Sequence, residues 1–244
     1  MRPIDVGLNE TFRFIDENLP SGKLRILEVG CGAGELAKRL QETGREVVAI
    51  DSSLETIEKA SDLGIDARVA VWPDFAEEPF DVILFTRSLH HIRPLSNALE
   101  RARQLIKSDG HLIVEDFAFS NVHRSVAEWF YLLLRVLDSC GVLLEAKDSF
   151  GRKLLSGNGA FDLWQDHTHE INSAREVFDT ANDNFEVLKV RWVPYLYRYV
   201  SQMVEDSEQG GEIVARVFDL EKKMGGENED YFIGRRFVAK QMRK

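Results

Sequence analysis

The chain has 244 residues, of which 44% are apolar and 10% aromatic, enough to bury a sizeable core in one large domain or one domain with an appended cap. Its 41 acidic and 31 basic residues give a net charge of −10, which disfavours nucleic acid as the main partner because phosphate-binding domains are usually basic. With only two cysteines, a disulfide scaffold is not expected. Acidic residues near the N-terminus argue against a signal peptide, and charges within the most apolar window, residues 126–144, argue against a membrane span. We therefore expect a cytoplasmic protein whose basic tail, Arg235 to Lys244, is a solvated end.

Strands and helices are predicted to alternate over the first half of the chain. Apolar residues at helical spacing between Leu8 and Leu19 indicate an amphipathic helix, which ends at Pro20. Short apolar runs then predict strands at residues 23–29, 46–50, 67–71, 80–85 and 111–115, with helices at 35–42, 54–63 and 95–106 between them. Nearly continuous apolar strands that alternate with helices are typical of a parallel sheet covered on both faces.

The alternation stops after Phe119. Residues 121–140 predict a helix that is apolar on more than one face and so needs cover all round. Residues 151–159 predict a mobile loop, and further helices are predicted at 173–182, 195–204 and 212–224, with strands at 185–193 and 231–242. Because ligands of parallel α/β sheets bind beyond the carboxyl ends of the strands, we expect one cleft lined by residues 30–34, 51–53, 71–74, 86–91 and 115–119.

A glycine turn follows the first predicted strand. Gly30, Gly32 and Gly34 permit a sharp bend and let a ligand approach bare main chain at the start of a helix. Dinucleotide sites favour G-x-G-x-x-G, but the third glycine position is Glu35 here, and no Gly-Lys-Ser/Thr of a phosphate loop follows. Asp51 ends the second strand, where a carboxylate can accept hydrogen bonds from ribose hydroxyls. The pattern favours a cofactor with a ribose and no phosphate, a description that S-adenosylmethionine (SAM) meets.

Four motifs, in this order, resemble those of the class I SAM-dependent methyltransferases, in their small-molecule, type 11-like branch. They are the glycine turn at 27–36, the strand and acid at 47–51, the strand and loop at 80–92, and the segment at 105–114. The resemblance covers about residues 20–120. It implies a doubly wound, Rossmann-like α/β fold whose seven-stranded sheet is mostly parallel, with an antiparallel C-terminal strand. The whole chain, 1–244, would be one domain in which insertions at about 120–175 and 195–230 form a helical cap.

The resemblance also implies cofactor-binding roles for residues at the strand ends. Glu28 would lie near the methionine amino group, Asp51 at the ribose, and Trp72 beside the adenine, where many relatives have an acidic residue instead. The full implied set is Glu28, Gly30, Cys31, Gly32, Asp51, Ser52, Val71, Trp72, Thr86 and Arg87.

Candidate catalytic and substrate residues are few, because methyl transfer by direct displacement needs a general base only when the acceptor must lose a proton. His91, after the fourth strand, is the first candidate base, and bracing of the next helix is its alternative role. His167 is the second candidate, in a segment that could equally be a surface loop. Candidate substrate contacts are Glu115, His169, Tyr195 and Arg198. No metal site is predicted, because the His-x-His of residues 167–169 lacks a placed third ligand.

The resulting hypothesis is an enzyme that transfers a methyl group from SAM, leaving S-adenosylhomocysteine (SAH), to a small organic molecule. The alternative is a SAM-binding subunit that regulates or partners another protein without catalysis. A nicotinamide oxidoreductase is disfavoured by Glu35. We expect a monomer or homodimer that binds neither nucleic acid nor membrane, and the identity of the acceptor and of the methylated atom stays open.

Overall fold

A computed structural model describes residues 1–145, 149–157, 160–166 and 171–242 of the chain. Its strands are β1 Arg25–Val29, β2 Glu46–Asp51, β3 Asp66–Val69, β4 Phe80–Thr86, β5 Ile106–Phe117, β6 Phe185–Val193 and β7 Gly234–Gln241. Its helices are α1 Pro3–Asp16, α2 Glu35–Glu42, α3 Leu54–Asp62, α4 Leu95–Leu105, α5 Arg124–Ser139, α6 Phe150–Ser156, α7 Ala160–Asp166, α8 Ala174–Asn184, α9 Tyr197–Ser201 and α10 Glu208–Glu227. Short 3-10 turns lie at Leu89–His91, Phe119–Asn121 and Glu229–Tyr231.

The seven strands form one mixed sheet in the order β3-β2-β1-β4-β5-β7-β6. β1 runs parallel to β2 and β4, β4 runs parallel to β5, and the C-terminal strands are antiparallel. This confirms the predicted fold class. The register pairs Val29 with both Ile50 and Phe85, and Thr86 with Glu115. β3 is also parallel to β2, with Val69 opposite Asp51. The parallel strands therefore end near one level, and the residues that follow them meet at one edge of the sheet.

The chain divides into two compact units. The sheet unit comprises the described residues of 11–116, 174–191 and 236–242, and the helical unit those of 1–10, 117–173 and 192–235. Each has its own apolar core. That of the sheet unit is formed by residues such as Leu27, Ile83, Phe85, Leu99 and Phe237. That of the helical unit includes Phe119, Phe130, Trp164, Tyr197 and Val217.

The central strands are buried because they are apolar on both faces. β1, β2 and β4 are buried along almost their whole length, as expected for strands covered on both sides of a parallel sheet. The helix that follows β1 buries Leu36, Ala37 and Leu40, one stripe of an otherwise polar segment. Because both faces of these strands are covered, the ends of the strands are left as the place for a ligand.

The helical unit differs from the sequence prediction at two short helices. Residues 151–156, predicted as part of a mobile loop, lie in α6, where the Ser149 side chain caps the helix by accepting a hydrogen bond of 3.2 Å from the Arg152 amide. Leu154 of this helix is fully buried, so packing also holds it. Residues 158–159 of the predicted loop lie outside the described residues. α7, which buries Trp164, was not predicted.

A buried carboxylate organises the start of α9. Glu221, fully buried on α10, accepts hydrogen bonds from the backbone amides of Tyr195, Leu196 and Tyr197 at 2.5, 2.9 and 3.1 Å. Burial raises the pKa of Glu221 to about 7, although these three amides oppose the rise. The carboxylate supplies acceptors for amides at a helix start, where intrahelical partners are missing.

The C-terminal strand corrects the expectation of a solvated basic tail. β7 begins at Gly234, later than the predicted residue 231, because Glu229–Tyr231 forms a 3-10 turn capped by the Asn228 side chain. Arg236 is only 7% exposed and is paired with Glu115 of β5. Across the described part of the chain, none of the helices combines the length and apolarity that crossing a bilayer would require.

Candidate functional site

A cavity of about 460 Å³ lies in the sheet unit at the carboxyl ends of β1, β2 and β4. This is the edge at which parallel α/β sheets bind ligands, and the volume is within the range of small-molecule pockets. The predicted residues that line it are Gly30, Asp51, Ser52, Val71, Trp72, Arg87 and His91. Ser88, which belongs to the predicted cleft segment 86–91, lines it as well, and so do Ile92 and Arg93 just beyond that segment.

The glycine turn is held in a shape that side chains would resist. Gly30, Gly32 and Gly34 all have positive φ, of 75°, 54° and 82°. A Cβ atom on Gly30 would meet Ser88 Cβ at 2.5 Å, and one on Gly34 would meet Ala60 Cβ at 2.8 Å. A Cβ atom on Gly32 would meet nothing within 4 Å. The first and third glycines therefore allow close packing within the protein, whereas the second faces open space.

The Asp51 carboxylate is fixed at the cavity wall. Its Oδ2 atom accepts a hydrogen bond of 3.0 Å from the Gly32 amide, and Oδ1 accepts one of 3.0 Å from the Ser53 amide. The Ile50 carbonyl, just before it, accepts from the amides of Gly30 and Cys31 at 2.8 and 3.1 Å. Hydrogen bonds to Ile50 and Asp51 at the end of β2 thus fix the conformation of the glycine turn. Cys31 is itself buried, and burial raises the pKa of its thiol above the usual range.

Glu28 of β1 and Thr86 of β4 form a buried pair one residue before the lining residues Val29 and Arg87. Glu28 is 1% exposed, and its Oε1 atom accepts a hydrogen bond of 3.0 Å from the Thr86 hydroxyl. Among the residues that the structure describes, its Oε2 atom has no hydrogen-bond partner of ordinary geometry, although the Ala37 amide lies close enough to favour the charged carboxylate. Burial raises the pKa of Glu28 to about 7, while the Thr86 hydrogen bond and the charge of Arg87 oppose the rise. An unsatisfied carboxylate oxygen of this kind is suited to a cationic ligand group.

Val71 and Trp72, the residues expected beside an adenine, differ in exposure. Val71 is exposed at the cavity, whereas Trp72 is buried and its indole N–H donates to the Ala98 carbonyl at 3.1 Å. Trp72 also packs edge-on against Phe85, with ring centroids 5.6 Å apart. The indole is therefore anchored in the core, and stacking of its cavity-facing surface on an adenine stays a prediction.

The two adjacent histidines occupy different environments. His91 is exposed and lines the cavity. His90 is buried, and its Nδ1 atom lies 2.6 Å from Asp116 Oδ1, while its backbone amide donates to Asp116 Oδ2 at 3.1 Å. The two imidazole centroids are 3.9 Å apart. The buried pair fixes the 3-10 turn that carries His91, and the role of His91 as a base stays a prediction.

The substrate contacts proposed from the sequence fall in both units. Glu115 is buried, its carboxylate is engaged by Arg236, Arg87 and the Thr11 hydroxyl, and it is not among the residues that line the cavity. A contact between Glu115 and a substrate stays a prediction. Tyr195 and Arg198 belong to the helical unit, where the Arg198 guanidinium lies over the Tyr195 ring at 5.6 Å. His167 and His169 lie outside the described residues. Among the described residues, no group of three or more His, Cys, Asp or Glu side chains could hold a metal ion.

Comparison with known proteins gives the family. A family model described as methyltransferase domain matches residues 8–139, more than half of the chain. The chain belongs to this methyltransferase family. The match includes every predicted cofactor-binding residue and confirms the resemblance noted in the sequence.

Individual relatives of this methyltransferase share about a third of the aligned residues or fewer. A ubiquinone biosynthesis O-methyltransferase of Xylella fastidiosa (strain 9a5c) is 31% identical over 123 residues, which cover 47% of this chain and 48% of the relative. The chain thus spans about half the length of this curated relative. The N-methyltransferase NodS from Bradyrhizobium japonicum WM9, solved with SAH, aligns with a TM-score of 0.55 at 12% identity over 96% of this chain and 87% of its own. The [4+2]-cyclase SpnF aligns with a TM-score of 0.57 at 14% identity over 96% of this chain and 81% of its own. At these identities the two structures show a shared fold.

Two features of the methyltransferase site escaped the sequence analysis. Ser88 donates a hydrogen bond of 2.6 Å to the Val29 carbonyl and so joins the ends of β4 and β1. Arg236 pairs with a carboxylate 121 residues earlier in the chain. Ser88 itself lies within the predicted cleft segment 86–91 and only its hydrogen bond was not predicted, whereas no local signal marks Arg236.

Proposed function

We propose that this methyltransferase binds SAM in the cavity of the sheet unit and transfers its methyl group by direct displacement to a small organic acceptor. The observation that carries the proposal is the fixed Asp51 carboxylate in the cavity wall. The buried Glu28 carboxylate, one residue before Val29 of the lining, supports it. Asp51 suits ribose hydroxyls, and Glu28 suits a cationic amino group.

Two carboxylates at the glycine turn, Asp51 and Glu35, argue against a dinucleotide. Asp51 Oδ2 already accepts the Gly32 amide, so this N–H of the turn is not left for a phosphate. Glu35 opens α2, where a pyrophosphate would need to sit, and a carboxylate there repels it. The residues present therefore fit a cofactor that is cationic at one end and carries no phosphate.

The chain's own residues would position the reacting groups. When bound, SAM supplies an electrophilic methyl group on a sulfonium. The Gly32 main chain and the Asp51 carboxylate would fix the ribose, Glu28 would receive the amino group, and Arg87 would approach the methionine moiety. Correct placement of the acceptor supplies most of the rate enhancement in such a displacement. His91, exposed at the cavity, would accept the proton of an acceptor that must lose one.

The small-molecule acceptor is supported by the charge and by the relatives. A net charge of −10 is unfavourable for polyanionic substrates. The matched relative is named for ubiquinone biosynthesis and the neighbour NodS is an N-methyltransferase, so neither decides whether oxygen or nitrogen is methylated here.

Isothermal titration calorimetry with SAM, SAH and NADH tests the cofactor. We expect saturable binding of SAM and SAH and none of NADH. Absence of binding by both SAM and SAH would refute the proposal. Incubation with methyl-labelled SAM and an extract of small metabolites then tests transfer, and the labelled product identifies the acceptor.

Binding of SAM without transfer to any acceptor would favour the second candidate, a non-catalytic SAM-binding protein. The likeness to SpnF, which is titled a cyclase, supports only that this fold is not confined to methyl transfer.

A further inference from the structure

Arg87 is held in an unusual backbone conformation at the wall of the cavity. Among the residues that the structure describes, it is the only non-glycine residue with positive φ, at 65°. Such a conformation costs free energy and persists only where the surroundings determine it, often at a ligand site. The restraint comes from Glu115, whose carbonyl accepts the Arg87 amide at 2.7 Å.

The Glu115 side chain holds the other end of the same residue. Its Oε1 atom accepts from Arg87 Nη1 at 3.0 Å and from the Thr11 hydroxyl at 2.7 Å. Its Oε2 atom accepts from Arg236 Nε at 2.6 Å and lies 2.5 Å from Arg236 Nη2. One carboxylate therefore bridges two guanidinium groups. All four residues belong to the sheet unit.

The two arginines of this network differ in exposure. The Arg236 side chain is 8% exposed, whereas that of Arg87 is 37% exposed and lines the cavity. A buried carboxylate needs a paired cation, and Arg236 meets that need from within the core. Glu115 can then use its second oxygen to orient the Arg87 guanidinium, which stays partly exposed at the cavity.

A guanidinium at the wall of this cavity is suited to bind an anionic group of a ligand. SAM carries one, the α-carboxylate of its methionine moiety, and a guanidinium matches a carboxylate in both charge and geometry. We propose that Glu115 and Arg236 are positioning residues that hold Arg87 ready to bind the α-carboxylate of the cofactor. The inference rests on the proposed function, since it requires SAM to occupy the cavity.

A purely structural role for the network makes a different prediction. Glu115, Arg236 and Thr11 also join β5, β7 and α1, so their loss could loosen the sheet unit as a whole. General loosening would lower the affinity for every ligand of the cavity alike. Misorientation of Arg87 would lower the affinity only for ligands that carry the carboxylate.

The test compares SAM with decarboxylated SAM, which differs from it by the carboxylate alone. Calorimetry is run on the wild type, Glu115→Gln, Arg236→Gln and Arg87→Gln, with Arg13→Gln as a control that removes an exposed arginine of α1 outside both the cavity and the network. We expect each network variant to weaken the binding of SAM by at least about tenfold, because a charged hydrogen bond is lost, and that of decarboxylated SAM by less than about threefold. Arg13→Gln should leave the ratio of the two affinities unchanged.

The double variant Glu115→Gln/Arg87→Gln should bind SAM no more weakly than Arg87→Gln alone, since Glu115 acts through Arg87. Equal weakening of the two ligands, or unchanged SAM affinity in the network variants, would overturn the inference. Should Glu115→Gln not fold, Arg236→Lys, which keeps the charge but loses the two-nitrogen contact, is scored by the same ratio. Failure of the wild type to bind either ligand would refute the proposed function instead.

Discussion

The Gly32 amide donates a hydrogen bond of 3.0 Å to Asp51 Oδ2, so the acid at the end of β2 is part of the glycine turn after β1. Because the Ser53 amide occupies Oδ1, the carboxylate is fixed before any ligand arrives. Its remaining lone pairs are therefore oriented at the cavity wall at no further entropic cost to binding.

Asp51→Ala should weaken SAH binding by about 1.5–3 kcal/mol, the range for loss of hydrogen bonds to a charged group. Calorimetry measures the difference, and Asp74→Ala, which removes an exposed carboxylate two residues beyond Trp72, is the matched control. Wild-type affinity in Asp51→Ala would contradict a role at the ribose.

Gly30→Ala should destabilise the protein more than Gly32→Ala. Both positions have positive φ, which alone costs an alanine about 1 kcal/mol. Only at Gly30 would the new methyl group meet a side chain, Ser88, which its hydrogen bond to Val29 holds in place. Overpacking adds about 1–3 kcal/mol, so urea unfolding should separate the two variants by that amount. Equal losses would show that the turn relaxes around Ser88.

Local signals were sufficient for much of the sheet unit. The bounds of α2 agree with the prediction because glycines flank the segment at Gly34 and Gly44, and Asp51 was found from its position at a strand end. β6 was likewise predicted at its observed bounds, from an apolar run.

The features that escaped prediction depend on tertiary structure. Burial of Arg236 requires Glu115 of a neighbouring part of the sheet, and nothing near Arg236 in sequence distinguishes it from a solvated arginine of the tail. The burial of Glu115 against two arginines has the same origin, which is why a strand-end rule placed it in the cleft. α7 is only seven residues long, too short for helical periodicity to stand out.

His90→Ala and His91→Ala should differ sharply in their effect on stability. His90 is buried against Asp116, and its loss leaves a buried carboxyl group without that partner, at a cost of about 3 kcal/mol. His91 is exposed, so its replacement should cost less than about 1 kcal/mol. Urea unfolding followed by circular dichroism measures both. Comparable losses would mean that the His91 ring also supports the fold, and only a stable His91→Ala protein can serve to test a role as base.

Glu28 should make the ligand-free protein less stable as the pH rises. Its pKa is 4.5 in the unfolded chain and about 7 in the folded protein. Below pH 4.5 both states are protonated, and between pH 4.5 and 7 the folded state keeps a proton that the unfolded state has lost. The free energy of unfolding therefore falls across this window, by up to about 3 kcal/mol, and levels off above pH 7.

Comparison of the wild type with Glu28→Gln isolates this contribution. Glu221 titrates in the same window, so the pH profile of the wild type contains the contributions of both groups. Subtracting the profile of Glu28→Gln from that of the wild type cancels the contribution of Glu221. From pH 5 to pH 8, Glu28→Gln should gain stability relative to the wild type in urea unfolding. A difference that does not change with pH would mean that Glu28 is charged throughout.

Binding of the cofactor should release a proton from Glu28. A cationic amino group beside the unpartnered Oε2 atom favours the charged carboxylate, so the bound state has a lower pKa at Glu28 than the free protein. The affinity for SAH should consequently rise between pH 6 and 8, by at most about tenfold per pH unit for one linked proton. Calorimetry in two buffers of different ionisation enthalpy counts the protons released at pH 6.5. The count should fall to zero in Glu28→Gln, and release that persists in this variant would assign the linked proton to another group.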